Sequence, residues 1–290
     1  MMVPGVGGAT SRRLAAHFGG IEAVFDASED ELIAVSRITS EIAVAIREVQ
    51  LEALENDMES MSDDGIRVVT WDDDDYPMNL RDAADAPALL FASGDILSTD
   101  SEAVAIIGTR EPSPEAAETA EKLARRLAEA GLTIVSGLAI GIDTCAHKGA
   151  LTAQEGRTFA IFGSGLRVIH PRSNIELALE IVGRGALLSE YLPGTPPSGP
   201  NLMARDRIIS GLSKAVIVVE AGVKSGSVDT ANRARKQGRA VFAIPGSPGT
   251  DALIAGGAIA LDPDNIEPEQ LLASSTDTAQ PVKPQLDLWD

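Results

Sequence analysis

The sequence has little cysteine, histidine, lysine or aromatic content, and it contains no long apolar run. Its single cysteine, Cys145, excludes a framework of internal disulfide bonds and favours a reducing compartment. No apolar run approaches the roughly 20 residues of a transmembrane helix, and no segment resembles a signal peptide. We therefore expect a cytoplasmic protein of one or two domains that does not interact with membranes.

The strong negative charge lies at the two ends of the chain. The formal net charge is −19, but residues 101–250 contain 14 acidic and 17 basic residues. The remaining residues contain 29 acidic and seven basic ones. The middle of the chain can therefore face an anionic partner although the whole chain repels one. Only six of the 24 basic residues are lysine, a composition that suits a protein working at high salt.

One short segment has the pattern of an anion-binding turn. The apolar run at 103–107 predicts a buried strand that ends at Gly108-Thr109-Arg110, and Ser113-Pro114 then predicts the start of a helix. Such a turn presents backbone N–H groups and the positive end of a helix dipole to an anion. Arg110 adds a guanidinium that can bind phosphate through two hydrogen bonds. The alternative is an ordinary turn with a surface arginine, and this segment alone does not decide between them.

The same alternation of strand and helix continues through the chain. Strands are predicted at 104–107, 132–135, 159–162, 186–188, 215–219 and 240–244. This alternation is typical of a doubly wound, mostly parallel, Rossmann-like α/β sheet. Two further apolar runs, at 66–71 and 87–92, predict extra strands that lead into the sheet.

The sequence also predicts that the chain is divided into three regions. Residues 1–60 form a small helical domain of the helix-hairpin-helix or SAM-like type, with a glycine hairpin, a capping box at Ser28 and a third helix over 41–61. Such a hairpin can hold a DNA phosphate, but surrounding acidic residues favour a structural or protein-docking role. Residues 61–262 form the Rossmann-like domain, with lead-in strands in 65–98 and a core in 101–260. Residues 263–290 are expected to be a largely disordered acidic tail, with Pro268 to Leu272 able to start a short helix.

Small and polar residues follow almost every predicted strand. Because the carboxyl ends of parallel strands share one edge of the sheet, these loops should converge on one pocket. The loops are Gly108-Thr109-Arg110, Ser136-Gly137, Gly163-Ser164-Gly165, Ser189-Glu190, Lys224-Ser225-Gly226-Ser227 and Pro245-Gly246-Ser247.

No recognisable catalytic or cofactor motif accompanies these loops. The first loop lacks the G-x-G-x-x-G of dinucleotide enzymes, and the chain has neither a P-loop nor a G-x-S-x-G elbow. Cys145 and His147 are too close together and too isolated for a zinc site, so we expect them on a helix surface. The pocket is therefore predicted to bind phosphate without a metal, a cofactor or an enzymatic reaction.

Five segments together carry a family resemblance. They are 106–110 (IIGTR), 134–143 (IVSGLAIGID) with Ala146-His147, 204–213 (ARDRIISGLS), 219–221 (VEA) with 224–227 (KSGS), and 241–246 (VFAIPG). In order and spacing they resemble the DprA/Smf family (DNA-processing protein A). The resemblance implies a homodimeric, non-enzymatic, single-stranded-DNA-binding protein that protects incoming DNA and loads a RecA-type recombinase, as in natural transformation and competence.

The resemblance also implies a set of site residues. The predicted DNA- and phosphate-binding residues are Gly108, Thr109, Arg110, Ser136, Gly137, Gly141, Gly163, Gly165, Arg205, Arg207, Lys224, Ser225, Gly226 and Ser227. The sequence departs from the family at Leu202 and Gly199, where members often present an aromatic residue or a lysine, and at Asp206, where an asparagine is usual. These departures remove a stacking group and add negative charge, so we expect weaker DNA binding than the family pattern implies.

The fold also resembles a second class of protein, the LOG-type nucleotide phosphoribohydrolases. This alternative is a nucleotide-binding or nucleotide-hydrolysing Rossmann protein. The equivalent loop here, 224–230, lacks the paired glycines and the glutamate of that class, and Asp229 is its only carboxylate. A third interpretation has the acidic N-terminal helices docking a partner protein.

Overall fold

In the computed structural model, residues 3–277 are described, and they form a helical domain followed by an α/β domain. The helices are α1 (Gly8–Phe18), α2 (Ile21–Asp26), α3 (Glu29–Ile33), α4 (Ser40–Arg47), α5 (Leu51–Asp63), α6 (Met78–Arg81), α7 (Pro114–Glu129), α8 (Ile142–Thr152), α9 (Ile175–Val182), α10 (Gly199–Leu212), α11 (Gly226–Lys236), α12 (Pro248–Ala255) and α13 (Pro268–Asp277). The strands are β1 (Arg67–Thr70), β2 (Leu89–Gly94), β3 (Ala103–Ile107), β4 (Thr133–Ser136), β5 (Thr158–Phe162), β6 (Gly185–Ser189), β7 (Ala215–Val218), β8 (Ala240–Ala243) and β9 (Ile259–Ala260).

All nine strands belong to one sheet, in the order β1-β2-β6-β5-β4-β3-β7-β8-β9. Strands β3 to β9 are parallel, whereas β2 is antiparallel to both β1 and β6. The predicted Rossmann-like sheet with two lead-in strands is therefore confirmed. Strand β9 escaped prediction because it has only two residues, both exposed, and so carries no hydrophobic pattern.

Two hydrophobic clusters cover the two faces of the parallel sheet. Along β3, Ala105 and Ile107 belong to one cluster, while Val104 and Ile106 belong to the other. This alternation is the period of a strand, and it shows why buried parallel strands read as continuous apolar runs. Helix α7 begins as predicted, since the Ser113 hydroxyl accepts a hydrogen bond from Ala116 N at 3.2 Å.

The single helix predicted over 41–61 is wrong, because the chain breaks between α4 and α5. Ile46 of α4 lies in the core of the N-terminal helices, whereas Met61 of α5 packs in a cluster of the α/β domain. The two halves thus bury their apolar faces against different cores. The predicted domain boundary at 60/61 consequently falls inside α5. The capping box at Ser28 is confirmed, with Glu31 as its partner.

The N-terminal glycine hairpin packs against the chain itself. A Cβ atom at Gly8 would lie 2.7 Å from Ala88 N and 2.9 Å from Ala86 O. Arg12 reinforces the contact, because its Nη1 donates to Ala86 O at 3.1 Å and its guanidinium lies 4.4 Å from the Trp71 ring centroid. This packing supports a structural role for the hairpin rather than a DNA contact through Gly8.

In the C-terminal segment the short helix predicted to start at Pro268 is confirmed, whereas the disorder predicted for most of the segment does not hold for residues 263–277. Helix α13 forms there, and Ile266 and Leu271 are buried in one of the two sheet-covering clusters. Burial of these two side chains stabilises a segment whose proline and acidic content alone predicts disorder. The rest of the predicted tail, 278–290, lies outside the described residues. Between residues 3 and 277 no helix is long and apolar enough to span a bilayer.

Candidate functional site

An open pocket of about 580 Å³ lies at the carboxyl ends of β3 and β4, between α10 and α11. Eight of the predicted site residues line it, namely Gly108, Thr109, Arg110, Arg205, Lys224, Ser225, Gly226 and Ser227. Three of the six predicted loops or their following helices therefore meet in one place, as the rule for parallel sheets anticipates. The other lining residues include Leu202 and Met203 of α10 and the carboxylates Asp143, Asp206 and Asp229.

The first loop is fixed by a residue that sequence reasoning did not place in the site, Glu220. Its backbone oxygen accepts from Thr109 N at 2.8 Å, and its carboxylate accepts from Ser113 N and Oγ at 2.9 and 3.1 Å. Ser227 Oγ donates to Gly108 O at 2.8 Å from the other side. The Thr109 N–H is therefore already satisfied by the protein. An acidic residue directly after strand β7 was the available signal.

Two cations of the pocket remain open to solvent. Arg110 and Lys224 are both exposed, and neither takes part in an ion pair among the described residues. Helix α11 begins beside them, with Ser225 as its N-cap, so the first backbone N–H groups of that helix also face this end of the pocket. The arrangement can hold an anion through two mobile charges and a helix N terminus.

Arg205, by contrast, forms the buried floor of the pocket. It is only 5% exposed. Its Nη1 donates to Gly137 O at 2.6 Å and also to Ile161 O, and its Nε donates to Asp206 Oδ1 at 3.0 Å. A side chain at Gly137 would collide with this guanidinium, so the glycine provides the space that Arg205 occupies. Arg205 is therefore largely engaged with its own protein.

Asp206 lines the pocket, but it is largely buried and forms an ion pair with Arg205. Burial raises the pKa of Asp206, while the charge and hydrogen bond of Arg205 act in the opposite direction. Burial also raises the pKa of Asp143, whose Oδ2 accepts from Gly137 N at 3.1 Å and Ala139 N at 3.3 Å. Together these carboxylates hold Arg205 and the β4–α8 loop in place.

Arg207 does not reach the pocket, and its predicted phosphate contact is corrected. Its Nη1 and Nη2 bind the Glu190 carboxylate at 2.7 and 2.6 Å, and its Nε donates to Asp85 O at 2.9 Å. The hydrogen bonds and charge of Glu190 outweigh burial and raise the pKa of Arg207. Residues two apart on a helix point to different sides, so Arg205 lines the pocket and Arg207 does not.

Four other predicted site residues lie behind the lining rather than in it. Ser136 Oγ donates to Ile106 O at 2.7 Å and ties β4 to β3. Gly141 has a positive φ of 86° and a Cβ there would collide with Thr109 O. Gly163 and Gly165 allow close approach of α10 and of the loop after β6, respectively. These residues shape the pocket from behind its lining.

His147 is fully buried, so the predicted helix-surface position is wrong for this residue. Its Nδ1 lies 2.7 Å from Thr158 Oγ1, which itself donates to Ile134 O at 2.7 Å. Nδ1 must therefore carry the proton and donate. Burial, followed by the charge of Arg205, lowers the pKa of His147 to about 3. The surrounding residues Ala146 and Ala150 are buried too, which was the signal for an inward face of α8.

Sequence comparisons identify relatives over most of the described chain. The sequence model of the DNA recombination-mediator protein A family matches residues 67–268, and a helix-hairpin-helix motif matches residues 1–53. The DNA processing protein DprA of Streptococcus pneumoniae is 47% identical over 175 residues, which are 60% of this chain and 61% of that protein. The DprA of Bacillus subtilis is 42% identical over 184 residues, which are 63% and 62% of the two chains. The match thus spans less than two thirds of each relative's length.

Solved structures show the same fold. The crystal structure of DNA processing protein A from Streptococcus pneumoniae superimposes with a TM-score of 0.75 and 34% identity, covering 86% of this chain and 88% of that one. DNA processing protein A from Helicobacter pylori, whose structure is described for its single-stranded DNA binding mode, gives a TM-score of 0.63 and 31% identity. It covers 73% of this chain and 96% of that one.

Proposed function

This chain belongs to the DprA/Smf family of DNA recombination-mediator proteins, and from that premise we propose that it binds single-stranded DNA and mediates recombination. In this role it protects incoming single strands and hands them to a RecA-type recombinase, as a cytoplasmic homodimer that needs no cofactor. The similarity to relatives named for DNA processing, and to a structure described for single-stranded DNA binding, supports this proposal.

The observation that carries the proposal is a pair of cations at the pocket mouth that form no ion pair with any residue described in the structure. Arg110 and Lys224 lie beside the N terminus of α11, where a chain of phosphates can be held without any reading of base sequence. Lining residues deeper in the pocket, such as Arg205, are already neutralised by Asp206. Most of the electrostatic attraction must therefore come from Arg110 and Lys224.

Because position 202 is a leucine and not an aromatic residue, DNA binding in this pocket should depend mainly on electrostatic contacts. Leu202 lies in the pocket lining and provides apolar contact, but it cannot stack on a base as an aromatic ring does. Electrostatic contacts are weakened by salt, because binding releases counterions from the phosphates. We expect affinity for single strands that falls steeply with salt and shows little sequence preference.

The test is the variant Arg110→Ala. Loss of one phosphate contact should weaken binding to single strands of any sequence and reduce the slope of log K against log salt by about 0.7 to 1 unit. Fluorescence anisotropy with labelled homopolymeric and mixed-sequence oligonucleotides, at four or more salt concentrations, measures both quantities.

The matched control is Lys148→Ala. Lys148 is an exposed cation on α8 that does not line the pocket, so its loss changes the net charge equally without removing a predicted contact. Its affinity and slope should stay close to those of the unmodified chain. Equal effects of the two variants, or none from Arg110→Ala, would exclude this pocket as the DNA site.

A further inference from the structure

A second groove of about 410 Å³ lies between the two domains. Its walls are the glycine hairpin at residues 3–7 and the loop that follows β6, including Tyr191, Leu192 and Thr195. We propose that this groove binds a nucleobase of the same single strand and that Tyr191 is the aromatic surface on which the base stacks. The inference rests on the proposed function.

Tyr191 is held in place by its hydroxyl group, while its ring lines the groove. The hydroxyl donates to Asn201 O at 3.4 Å, and the side chain is only half-buried. Burial raises the pKa of Tyr191 to about 12, so the phenol is neutral at physiological pH and does not repel a polyanion. An aromatic ring positioned at one end and accessible at the other is suited to stacking.

The opposite wall leaves room for a flat group. Residues 3–7 of the hairpin include Gly7, where an added Cβ atom would meet no atom within 4 Å, so no side chain fills the groove at this point. The only carboxylate in the groove lining, Glu190, is paired bidentately with Arg207. The groove is thus mostly apolar and carries no unpaired negative charge.

The hydrogen bond from Tyr191 to Asn201 places the groove next to the phosphate pocket. Asn201, the partner of Tyr191, belongs to the first turn of α10, and residues Gly199, Leu202 and Met203 around it line the pocket. Both sites lie at the carboxyl edge of the sheet, one after β3 and one after β6. Three strand spacings separate β3 from β6 in the sheet order, which is about 14 Å at about 4.8 Å per strand. A single strand of several nucleotides can contact both.

A comparison of the two tyrosines also favours Tyr191 as the stacking residue. The only other tyrosine, Tyr76, is 2% exposed and donates its hydroxyl proton to Pro87 O at 2.7 Å. At position 202 the pocket offers leucine in place of an aromatic ring. Tyr191 therefore supplies, next to the pocket, a stacking surface for a base that the pocket lining itself lacks.

The experiment compares Tyr191→Leu with Tyr191→Phe on two oligonucleotides of equal length. One carries normal bases throughout, and the other carries a run of abasic sites and therefore retains its phosphates without bases. Tyr191→Leu should bind the normal strand at least about fivefold more weakly than the unmodified chain, and should keep its affinity for the abasic strand and its salt slope. Tyr191→Phe, which keeps the ring, should bind the normal strand within about twofold of the unmodified chain.

Each outcome has one interpretation. Equal losses on normal and abasic strands, or a Tyr191→Phe variant as weak as Tyr191→Leu, would overturn stacking. Unchanged binding by Tyr191→Leu while Arg110→Ala weakens it would overturn the Tyr191 site and leave the proposed function intact. Absence of single-strand binding by the unmodified chain at every salt concentration would overturn both.

Discussion

Two arginines of the pocket show how burial decides what a residue does. Arg110 is exposed and has no ion-pair partner within the described part of the chain, whereas Arg205 is buried, hydrogen-bonded to two backbone oxygens and paired with Asp206. The free guanidinium can exchange water for phosphate, but the buried one would have to abandon existing partners to do so. Arg205 is therefore a residue that builds the pocket, and Arg110 is one that binds.

The buried His147 predicts a specific pH dependence of stability. In the unfolded chain its imidazole titrates with the ordinary pKa of about 6.5, whereas burial lowers the folded-state pKa to about 3. The stability it contributes is complete above pH 6.5 and is lost as pH falls toward 3, because the unfolded chain binds the proton first. Between pH 6 and 4 the expected loss is about 1.4 kcal/mol per pH unit.

The variant His147→Gln isolates this effect. Urea denaturation at several values between pH 4 and 7 should show a shallower decline for His147→Gln than for the unmodified chain, by about 1.4 kcal/mol per pH unit. The carboxylates are the same in both proteins, so their titration cancels in the difference. Parallel curves would show that His147 is protonated in the folded protein, and hence not buried as described.

At the scale of elements, the contact between α1 and the α/β domain predicts opposite behaviour for two adjacent glycines. A Cβ atom added at Gly7 would meet no atom within 4 Å, whereas one added at Gly8 would collide with Ala88 N and Ala86 O. Alanine favours a helix over glycine, so intrinsic propensity alone would make Gly8→Ala stabilising. The collision should instead destabilise the docked N-terminal helices by about 1 to 3 kcal/mol.

Limited proteolysis and thermal unfolding distinguish the destabilisation expected from the collision at Gly8→Ala from the stabilisation that helix propensity alone predicts. Cleavage within residues 3–50 should accelerate in Gly8→Ala and stay unchanged in Gly7→Ala, while the α/β domain remains resistant in both. A Gly8→Ala protein as resistant as the unmodified chain would show that the hairpin does not pack on residues 86–88.

The elements themselves differ in how well sequence predicts them. The parallel strands were predictable because burial on both faces gives apolar runs of distinctive length, as at 103–107 and 215–218. The break between α4 and α5 could not be predicted, because the helical spacing of apolar residues is the same whether those residues face one core or two. A helix start at Pro268 was predictable, but the packing of 263–277 was not, because Ile266 and Leu271 are buried in a cluster that only the folded sheet provides.

At the scale of the whole molecule, the distribution of charge predicts opposite effects of salt on stability and on binding. The chain has a net charge of −19, and the acidic excess lies outside residues 101–250. Raising the salt concentration from 0.1 to 1 M shortens the Debye length from about 10 to about 3 Å and screens this self-repulsion. The free energy of unfolding should therefore rise with NaCl while affinity for single strands falls.

Urea denaturation and anisotropy titration over the same NaCl series measure both trends on one preparation. The midpoint of unfolding should move to higher urea as the dissociation constant increases. Stability that falls with NaCl would mean that ion pairs such as Arg157 with Asp100 outweigh the net repulsion.

The sequence by itself determined the sheet, the edge of the sheet at which the loops meet, and the family. These follow from local patterns, since a buried parallel strand and a glycine-rich turn each leave a signature within a few residues. Only the tertiary structure decided which of the predicted residues face the pocket. The family resemblance placed Arg205, Arg207 and Ser136 in the site together with Arg110. In the folded chain, Arg205 instead donates to Gly137 O and Ile161 O, Arg207 binds Glu190, and Ser136 donates to Ile106 O. Such pairing joins residues from different elements, and it therefore becomes visible only when the chain is folded.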